Sequence, residues 1–483
     1  MERPWAQAHK QLAALLAETP QVDARSIVAG PHGDDPPISG IAFDSRRVSP
    51  GNLFVCLRGE HSDGHDFAPD AIASGATALL VDHPMDVASA ATQVVVDDTR
   101  PAMGYLSATF FDHPSATLEI VGITGTNGKT TTAHILGCSL VALGQSTGVI
   151  GTLSGAHTTP EAPELQQRLA QFLAAGCNAV AMEVSSHALA LDRVLGTHFR
   201  VAVFTNLGRD HLDLHGTQER YFAAKARLFD PVLADHGVVN TDDVHGRLLV
   251  DAGAIPFTTF SIDDASNLMI GPFSHEYTWR GEQMRVGLGG RFNVLNSLAA
   301  ATSLAVLGYT PTEIAVAIAT TSPVRGRFEP VEAGQDFVVI VDYAHTPDAL
   351  LEVLTAARDV SGDRRVIVVF GCGGDRDHEK RPEMGRVAST HADQVVVTSD
   401  NPRSEDPLSI INDVIGGVPA DYRGRIAVEP DRLDAIAIAL RKAGPGDVVV
   451  IAGKGHETTQ TFESTVTPFD DRAVALELLE TMK

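Results

Sequence analysis

Residues 122–131 read GITGTNGKTT, between the apolar run LEIV and the helix-like stretch TAHILGCSLVAL. A glycine-rich loop joining a strand to a helix can curl so that several backbone N–H groups converge on phosphate oxygens. Gly125, Thr126, Asn127 and Gly128 would form that cradle. Lys129 can reach the outer phosphates and the Thr130 hydroxyl can ligate Mg²⁺. Thr131 follows in the first helical turn, where the helix N-terminus adds donors and a favourable dipole. Position 123 is isoleucine, so the spacing departs from G-x-x-x-x-G-K-[ST]. The strand–loop–helix context still reads as a site for a nucleotide's phosphates.

Two further apolar runs end in groups that could hold a metal. Glu183 and His187 lie in AMEVSSHAL, and His211 lies in NLGRDHLDLHG. Mg²⁺ prefers oxygen ligands but tolerates some histidine beside a phosphate, which makes Glu183 the leading carboxylate and His211 a candidate. The plainer reading of each, a polar strand end with no ligand, is the lesser alternative for Glu183 and His211, and His187 stays undecided. Lys225 sits in the apolar helix YFAAKARLF. Its pattern is that of a snorkelling lysine. A desolvated lysine, however, has a lowered pKa and can react with CO₂ to become a carboxylate.

The segment 398–407 reads TSDNPRSEDP after the apolar QVVV. A rigid turn carrying Arg403 can grip a carboxylate bidentately, or it can pair at the surface with Glu405 or Asp406. Three other strand-like runs in the last third also end in polar residues. They supply Asp342 and His345, then Asp375 to Arg381, then Lys454 to Glu457. Open α/β sheets bind ligands beyond the carboxyl ends of their strands, which favours a binding role for Arg403. Pro402 restricts that turn, and Asp400 and Asn401 offer polar groups on it. Gly453 permits close backbone approach, Glu457 can accept from an ammonium, and Arg381 can hold a second carboxylate.

Such groups need parallel sheets to position them. The chain has 483 residues, 44% hydrophobic and 20% charged, a length that predicts about three domains. Residues 1–116 read as a small mixed α/β unit without an obvious catalytic cluster. Residues 117–328 alternate strands and helices in the manner of a P-loop ATPase, with a polar β-like patch near 255–290. Residues 329–483 repeat the alternation as a Rossmann-like unit. Glycine and proline near 323–330 predict a hinge, and GPHGDDPP is the stretch whose composition favours disorder. A net charge of -24 disfavours nucleic-acid partners. Cys56, Cys138, Cys177 and Cys372 form no CxxC pair. No run of eighteen apolar residues and no signal-peptide pattern is present. A cytoplasmic monomer is expected.

Taken together, DSRRVSPGNLFVCLRG, GITGTNGKTTT, HTTPE, MEVSSHAL, FTNLGRDHLDLHG, YFAAK, GRFE, VDYAHTPDAL, GCGGDRDHEKRPEMG, SDNPRSEDP and AGKGHE resemble the Mur ligases of peptidoglycan synthesis over nearly the whole chain. The resemblance implies three α/β domains that bind, in turn, a uridine nucleotide, ATP and an incoming amino acid. It implies ATP and Mg²⁺, with UDP-N-acetylmuramoyl-L-alanyl-D-glutamate and meso-diaminopimelate as substrates. By the same resemblance Phe43, Ser45, Glu60, His61 and Ser62 lie near the nucleotide, and Thr158, Thr159, Ser185 and Arg193 contact the phosphates and sugar-peptide. Lys225 would be carbamylated and share the metal sites with Thr130, Glu183 and His211. Asn293, Arg327, Asp342 and His345 would contact ATP. Leu191 departs from the pattern, because many members of the family have glutamine there, touching the sugar nucleotide.

The pieces also imply a reaction. A carboxylate is a poor acyl donor until ATP phosphorylates it, with the loop, Lys129 and Mg²⁺ holding the transferring charge. The acyl phosphate then meets the amine of the amino acid, and the tetrahedral intermediate releases phosphate and leaves an amide. Holding three substrates in register and excluding water would supply much of the rate. Two other readings stand beside this one. One is a ligase of the same fold with another acceptor, such as a folate polyglutamate ligase, against which DNPR and DSRRVSPGNLF argue. The other is a nucleotide switch that makes no product, which leaves the four polar strand ends unexplained.

Overall fold

The computed structural model describes residues 9–59, 62–86, 90–155 and 157–482. In the first unit, β1 (Ser26–Val28), β2 (Gly40–Ala42), β3 (Asn52–Val55), β4 (Ala78–Val81) and β5 (Thr92–Val95) form a sheet in the order β1-β5-β4-β3-β2. Only β1 runs antiparallel to its neighbour. Every residue of β3 and β4 is buried, so NLFV and ALLV are continuous runs with no polar alternation. Helix α1 (Thr99–Phe110), capped by the Asp98 side chain, leads out of this unit. GPHGDDPP, expected to be disordered, makes defined contacts: Gly30 and Gly33 bond each other, and Asp35 accepts from the Ala13 amide at 2.7 Å.

The second sheet is wholly parallel. It contains β6 (Glu119–Thr124), β7 (Thr147–Ile150), β8 (Ala179–Glu183), β9 (Val201–Phe204), β10 (Gly237–Asn240) and β11 (Phe257–Phe260). Their order is β11-β10-β9-β6-β8-β7. β6, first in sequence, lies between β8 and β9, so the winding reverses beyond its carboxyl end and opens a crevice there. α2 (Lys129–Ala142) starts in that crevice. The short α3 (Ser186–Ala190) follows β8, and α4 (Gln218–Ala226) follows β9. The β-like patch becomes β11 plus an antiparallel sheet of β12 (Ser266–Ile270), β13 (His275–Trp279) and β14 (Glu282–Val286). In β13, His275, Tyr277 and Trp279 alternate inward, the period of a sheet with one covered face. Tyr277 and Trp279 join Val294 and Leu298 of α5 (Arg291–Val306) in one core.

The third sheet holds β15 (Glu329–Pro330), β16 (Val338–Asp342), β17 (Val366–Phe370), β18 (Gln394–Val397), β19 (Ile426–Val428) and β20 (Val448–Ala452). The order is β15-β16-β20-β17-β18-β19, and only β15 is antiparallel. On one face pack α6 (Pro347–Ser361), α7 (Lys380–His391) and α8 (Pro407–Gly416). On the other pack α9 (Arg432–Lys442) and α10 (Asp471–Thr481). A hairpin, β21 (Thr459–Phe462) and β22 (Thr465–Pro468), flanks the sheet's ligand edge. The protein is thus a mixed α/β fold of three domains built on parallel sheets. The four polar segments expected in the last third sit at or beyond the carboxyl ends of β16, β17, β18 and β20. Among the described residues no helix is long and apolar enough to cross a membrane.

Candidate active site

The loop after β6 passes too close to its neighbours for ordinary side chains. Gly125 has φ +151°, and a Cβ there would lie 1.9 Å from Thr205 Oγ1. Gly128 has φ +87°, and its Cβ would lie 2.3 Å from Asn296 Oδ1. The loop is tied to the end of β9. Asn127 N–H donates to Asn206 Oδ1 at 2.9 Å, and the Thr205 hydroxyl donates to Asn127 O at 2.6 Å. Thr126 to Thr131 then line a cavity of about 250 Å³.

Glu183, at the end of β8, is 2% exposed and reaches the same cavity. It accepts from the Thr130 hydroxyl at 2.9 Å and from the Thr152 amide at 2.8 Å. Gly151 makes this possible, since a Cβ there would lie 2.2 Å from Glu183 Oε1. Thr130 and Glu183 therefore present adjacent oxygen donors, the hard ligands that Mg²⁺ selects. His211 lines the cavity beside Asp210, with a left-handed φ of 53°. Its ring meets that of His187 edge to face at 4.6 Å.

Two lysines share one carbonyl here. Lys129 Nζ donates to Gly125 O and Thr126 O, each at 2.8 Å. Lys225 Nζ donates to Gly125 O at 2.7 Å and lies 4.4 Å over the Tyr221 ring. Lys225 is 1% exposed, so the snorkelling geometry is not adopted. Burial pushes both amines down, Lys225 far below its ordinary value, with the Lys129 charge adding to the effect.

The third domain closes the cavity. Arg327 lies 4.4 Å over the Tyr343 ring and donates to the Thr130 hydroxyl at 3.4 Å, while its buried Nε has no hydrogen-bond partner. An unpaired guanidinium nitrogen beside a phosphate loop fits an anionic oxygen. Asp342 accepts from the Phe328 and Ala344 amides at 2.6 and 2.7 Å, and burial raises its carboxyl pKa. Burial lowers His345, whose Nδ1 lies 2.9 Å from Tyr343 O. The neutral ring therefore donates from Nδ1 and keeps Nε2 as an acceptor.

The other expected site residues are placed as follows. Asn293 does not line the cavity. Its amide donates to Gly289 O at 2.7 Å and accepts from Asn296 at 2.9 Å. Asn296, three residues further along α5, lines the cavity instead. Thr158 and Ser185 do line it, and Ser185 caps α3. Thr159 is buried behind them, donating to Glu183 O at 2.9 Å. Arg193 pairs with Glu161 at 2.9 Å and donates to Thr159 O at 3.2 Å, which supports the wall without lining it. Leu191 ends α3, and its carbonyl accepts from Arg100 at 3.1 Å. Phe43 packs against the first domain's core, Ser45 opens a 3₁₀ turn and Ser62 is exposed. None of these three lines the phosphate-loop cavity. Glu60 and His61 lie outside the described residues.

A second cavity, of about 410 Å³, adjoins the first and is lined by Arg403, Asp400, Asn401, Gly453 and Glu457. Arg403 holds a left-handed φ of 52° because the hairpin pins its backbone. Its N–H donates to Thr461 O at 3.1 Å, and its carbonyl accepts from Glu463 N–H at 2.6 Å. The guanidinium donates to Gly374 O at 2.6 Å. Glu405, the suspected surface partner, is instead taken by Arg381 at 2.8 and 2.9 Å, and Asp406 caps α8. Arg381, expected at a second carboxylate, here holds the Glu405 carboxylate. It is fully buried, also binds Asp413 at 3.0 Å, and does not line the cavity. Pro402 is a buried turn residue whose carbonyl accepts from Glu405 N–H at 3.1 Å. Glu457 accepts from Asn401 at 2.9 Å and from the buried Lys454 at 3.0 Å. Arg376 and Lys380, from the expected Asp375 to Arg381 segment, also line this cavity, as do Arg209 and Tyr343, which the motifs did not single out. Asp210, His211, Tyr343, His345 and Thr346 line both cavities, so ligands in the two would meet there.

Comparison with known proteins matches each domain in turn. Residues 37–113 match the Mur ligase family catalytic domain, 123–304 the Mur ligase middle domain, and 326–455 the Mur ligase glutamate ligase domain. The UDP-N-acetylmuramoyl-L-alanyl-D-glutamate–2,6-diaminopimelate ligase of Syntrophomonas wolfei is 44% identical over 466 residues, 92% of this chain and 95% of its own. The ligase of the same name from Geobacillus kaustophilus is 45% identical over 469 residues, with shares of 92% and 95%. A solved structure of a ligase with that name is 32% identical, with a TM-score of 0.64 over 92% of this chain and 95% of its own. On this agreement across all three domains, the chain belongs to the Mur ligase family.

Proposed function

We propose that the protein is an ATP-dependent ligase that joins meso-2,6-diaminopimelate to UDP-N-acetylmuramoyl-L-alanyl-D-glutamate, a step in making peptidoglycan precursors. The observation that carries this reading is the junction of the two cavities, one floored by the phosphate loop and one by Arg403. The relatives' shared name supports the choice of substrates. The three domains take the limits 1–116, 117–328 and 329–483 and serve the uridine nucleotide, ATP and the amino acid in turn. The protein acts as a monomer in the cytoplasm, where ATP and UDP-linked precursors are found.

The residues divide the work as follows. Gly125 to Thr131 cradle the ATP phosphates, Lys129 leaves its loop carbonyls for an outer phosphate, and Arg327 gives its unpaired Nε to the same charge. Thr130, Glu183 and His211 would hold Mg²⁺ together with Lys225. The depressed Lys225 amine adds CO₂, forming an N–C bond and releasing a proton, to give a carboxylate. Mg²⁺ bound there would neutralise charge on the phosphoryl oxygens. Thr158 and Ser185 face the sugar-peptide, whose glutamate carboxylate becomes the acyl phosphate. His345 Nε2, at the junction, accepts a proton from the attacking amine. Phosphate then leaves and the amide remains.

Arg403 selects the amino acid. The carboxylate at the far end of diaminopimelate pairs with its fork, while Glu457, Asp400 and Asn401 receive the neighbouring ammonium. L-Lysine lacks that carboxylate and would leave the guanidinium without its partner. Arg381 acts at one remove, by fixing Glu405 and through it the Asp375 amide. The test supplies purified protein with ATP, the UDP-linked dipeptide and either amino acid, and follows phosphate release and product mass. Product with diaminopimelate and little with L-lysine is expected. Phosphate release without amide product, or equal use of the two amino acids, would overturn the reading.

A further inference from the structure

The first domain, which read as lacking a reactive cluster, contains one that the ligase reaction leaves unused. His65 follows β3, and Asp82 and His83 follow β4, so all three stand beyond the carboxyl ends of adjacent parallel strands. Each offers one ligand atom, and these atoms lie within 4.8 Å of one another. The His65 side chain is 5% exposed, that of Asp82 is 18% and that of His83 is 52%, so the cluster is rooted in the core and open on one side.

Hydrogen bonding fixes which atoms face inward. Asp63 Oδ1 lies 2.6 Å from His65 Nδ1 and also accepts the His65 N–H at 3.0 Å. That partner makes Nδ1 the protonated nitrogen and leaves Nε2 with its lone pair. Nε2 points at Asp82, 3.3 Å from Oδ1 and 3.5 Å from the Asp82 amide. The His83 Nδ1 contacts the same Oδ1, and the two imidazole rings lie 4.7 Å apart. Nε2 accepts only that long bond from the Asp82 N–H, and at 3.3 Å it and Oδ1 are spaced as two neighbouring ligands of one ion are. Arg58 holds the other oxygen, with Nε 2.5 Å from Oδ2 and Nη2 3.1 Å from Oδ1. Asp63 and Asp82 against Arg58 leave the site one negative charge in excess, which admits a divalent ion.

We propose that His65 Nε2, Asp82 Oδ1 and His83 Nδ1, the last giving up the proton it shares with Oδ1, bind a borderline divalent cation of the Zn²⁺ class. Two imidazoles and a carboxylate are the ligand set that such ions prefer over Mg²⁺, and three protein ligands leave a fourth position for water. Asp63 on His65 and Arg58 on Asp82 are the outer partners that orient such ligands. The bound ion joins His65 to the end of β4.

The test uses the full-length protein with excess Mg²⁺ and ADP, to keep the phosphate-loop site filled. Zn²⁺ is titrated against a chromogenic chelator, and Co²⁺ is added as a visible-absorbing probe. The unaltered protein should bind one more equivalent than His83→Ala, whose exposed side chain can be removed without disturbing the fold. The loss should exceed about tenfold in affinity, since even an outer partner contributes that much. The His211→Ala protein should keep the site, which separates it from the histidines near the phosphate loop. Arg58→Gln should weaken binding by about tenfold, since Arg58 orients the Asp82 carboxylate. Equal stoichiometry and affinity in the unaltered protein and His83→Ala would overturn the proposal. So would a Co²⁺ spectrum that His83→Ala leaves unchanged, leaving the cluster as a protonated hydrogen-bond network.

Discussion

Replacing Arg403 with alanine tests the assignment of the second cavity. The hairpin bonds to the Arg403 backbone, from its N–H to Thr461 O and from Glu463 N–H to its carbonyl, do not involve the side chain and persist. The change therefore removes a guanidinium and leaves the turn in place. A desolvated charge pair that loses one partner costs about 2–5 kcal/mol. Arg403 is only half-buried, so the lower part of that range applies, about 2–3 kcal/mol. At 1.4 kcal/mol per decade this is a loss of about 30- to 150-fold in kcat/KM for diaminopimelate. Turnover of L-lysine should be unchanged, so the preference between the two collapses. Steady-state phosphate release with each amino acid reads both numbers. Arg381→Met supplies the contrast. It strands Glu405 and Asp413, whose side chains are 20% and 46% exposed, and should lower the urea midpoint by an amount equivalent to about 2–3 kcal/mol, below the full cost of a broken buried pair. A kcat/KM for diaminopimelate within about threefold of normal in Arg403→Ala would refute the reasoning, given that tenfold is the least that one lost charged hydrogen bond predicts.

Other outcomes follow from the same geometry. Lys225→Ala should abolish turnover while retaining the fold. Bicarbonate should not restore it, whereas a small added carboxylate should recover part by filling the vacated space; full activity of the variant would dismiss the carbamate. Gly151→Ala should cripple ATP use, because its Cβ would meet Glu183 Oε1 at 2.2 Å and push the carboxylate off Thr130; unchanged turnover would show that Glu183 need not stand there. Glu405 is held at about 2, chiefly by its hydrogen bonds to Arg381, against 4.5 for a free glutamate. Its folded pKa is depressed, so its stabilisation is full above about pH 4.5 and is lost as pH falls through about 2. The gap in urea midpoint between the unaltered protein and Glu405→Gln should narrow over that window, and a constant gap would contradict the pairing.

What the sequence revealed depended on how local the signal was. The phosphate loop was legible because its glycines, lysine and threonines are consecutive and flanked by a strand and a helix. The four polar strand ends were legible for a similar reason, since a buried parallel strand reads as an apolar run and its end as the first polar residues. Partner choice was not legible. Arg381 and Arg403 are both arginines near Glu405, and only the turn's left-handed backbone at Arg403 decides which one faces the cavity. Asn293 and Asn296 lie three apart on α5, and a shift of that size separates a capped carbonyl from the cavity wall. His65 and His83 are distant in sequence, and pairing of β3 with β4 brings them together.

Four of the ten non-glycine residues with left-handed φ among the described residues lie in or beside the two cavities. His211, Phe328, Asp375 and Arg403 all have left-handed φ, between 47° and 53°, without being glycine. Such residues cost about 1–3 kcal/mol each and persist only where the surroundings over-determine them. His211 and Arg403 line the cavities, Phe328 gives its N–H to Asp342, and Asp375 gives its N–H to Glu405. Each follows a parallel strand end or lies in the 323–330 segment, where rigid sheet meets irregular chain. Arg327, next to strained Phe328, reaches from that segment to Thr130 on the phosphate loop. A phosphate that captured the unpaired Arg327 Nε would therefore pull on the joint between the second and third domains. Filling the first cavity and fixing the second are in this way linked through one strained turn, so ATP binding and amino-acid affinity should rise together.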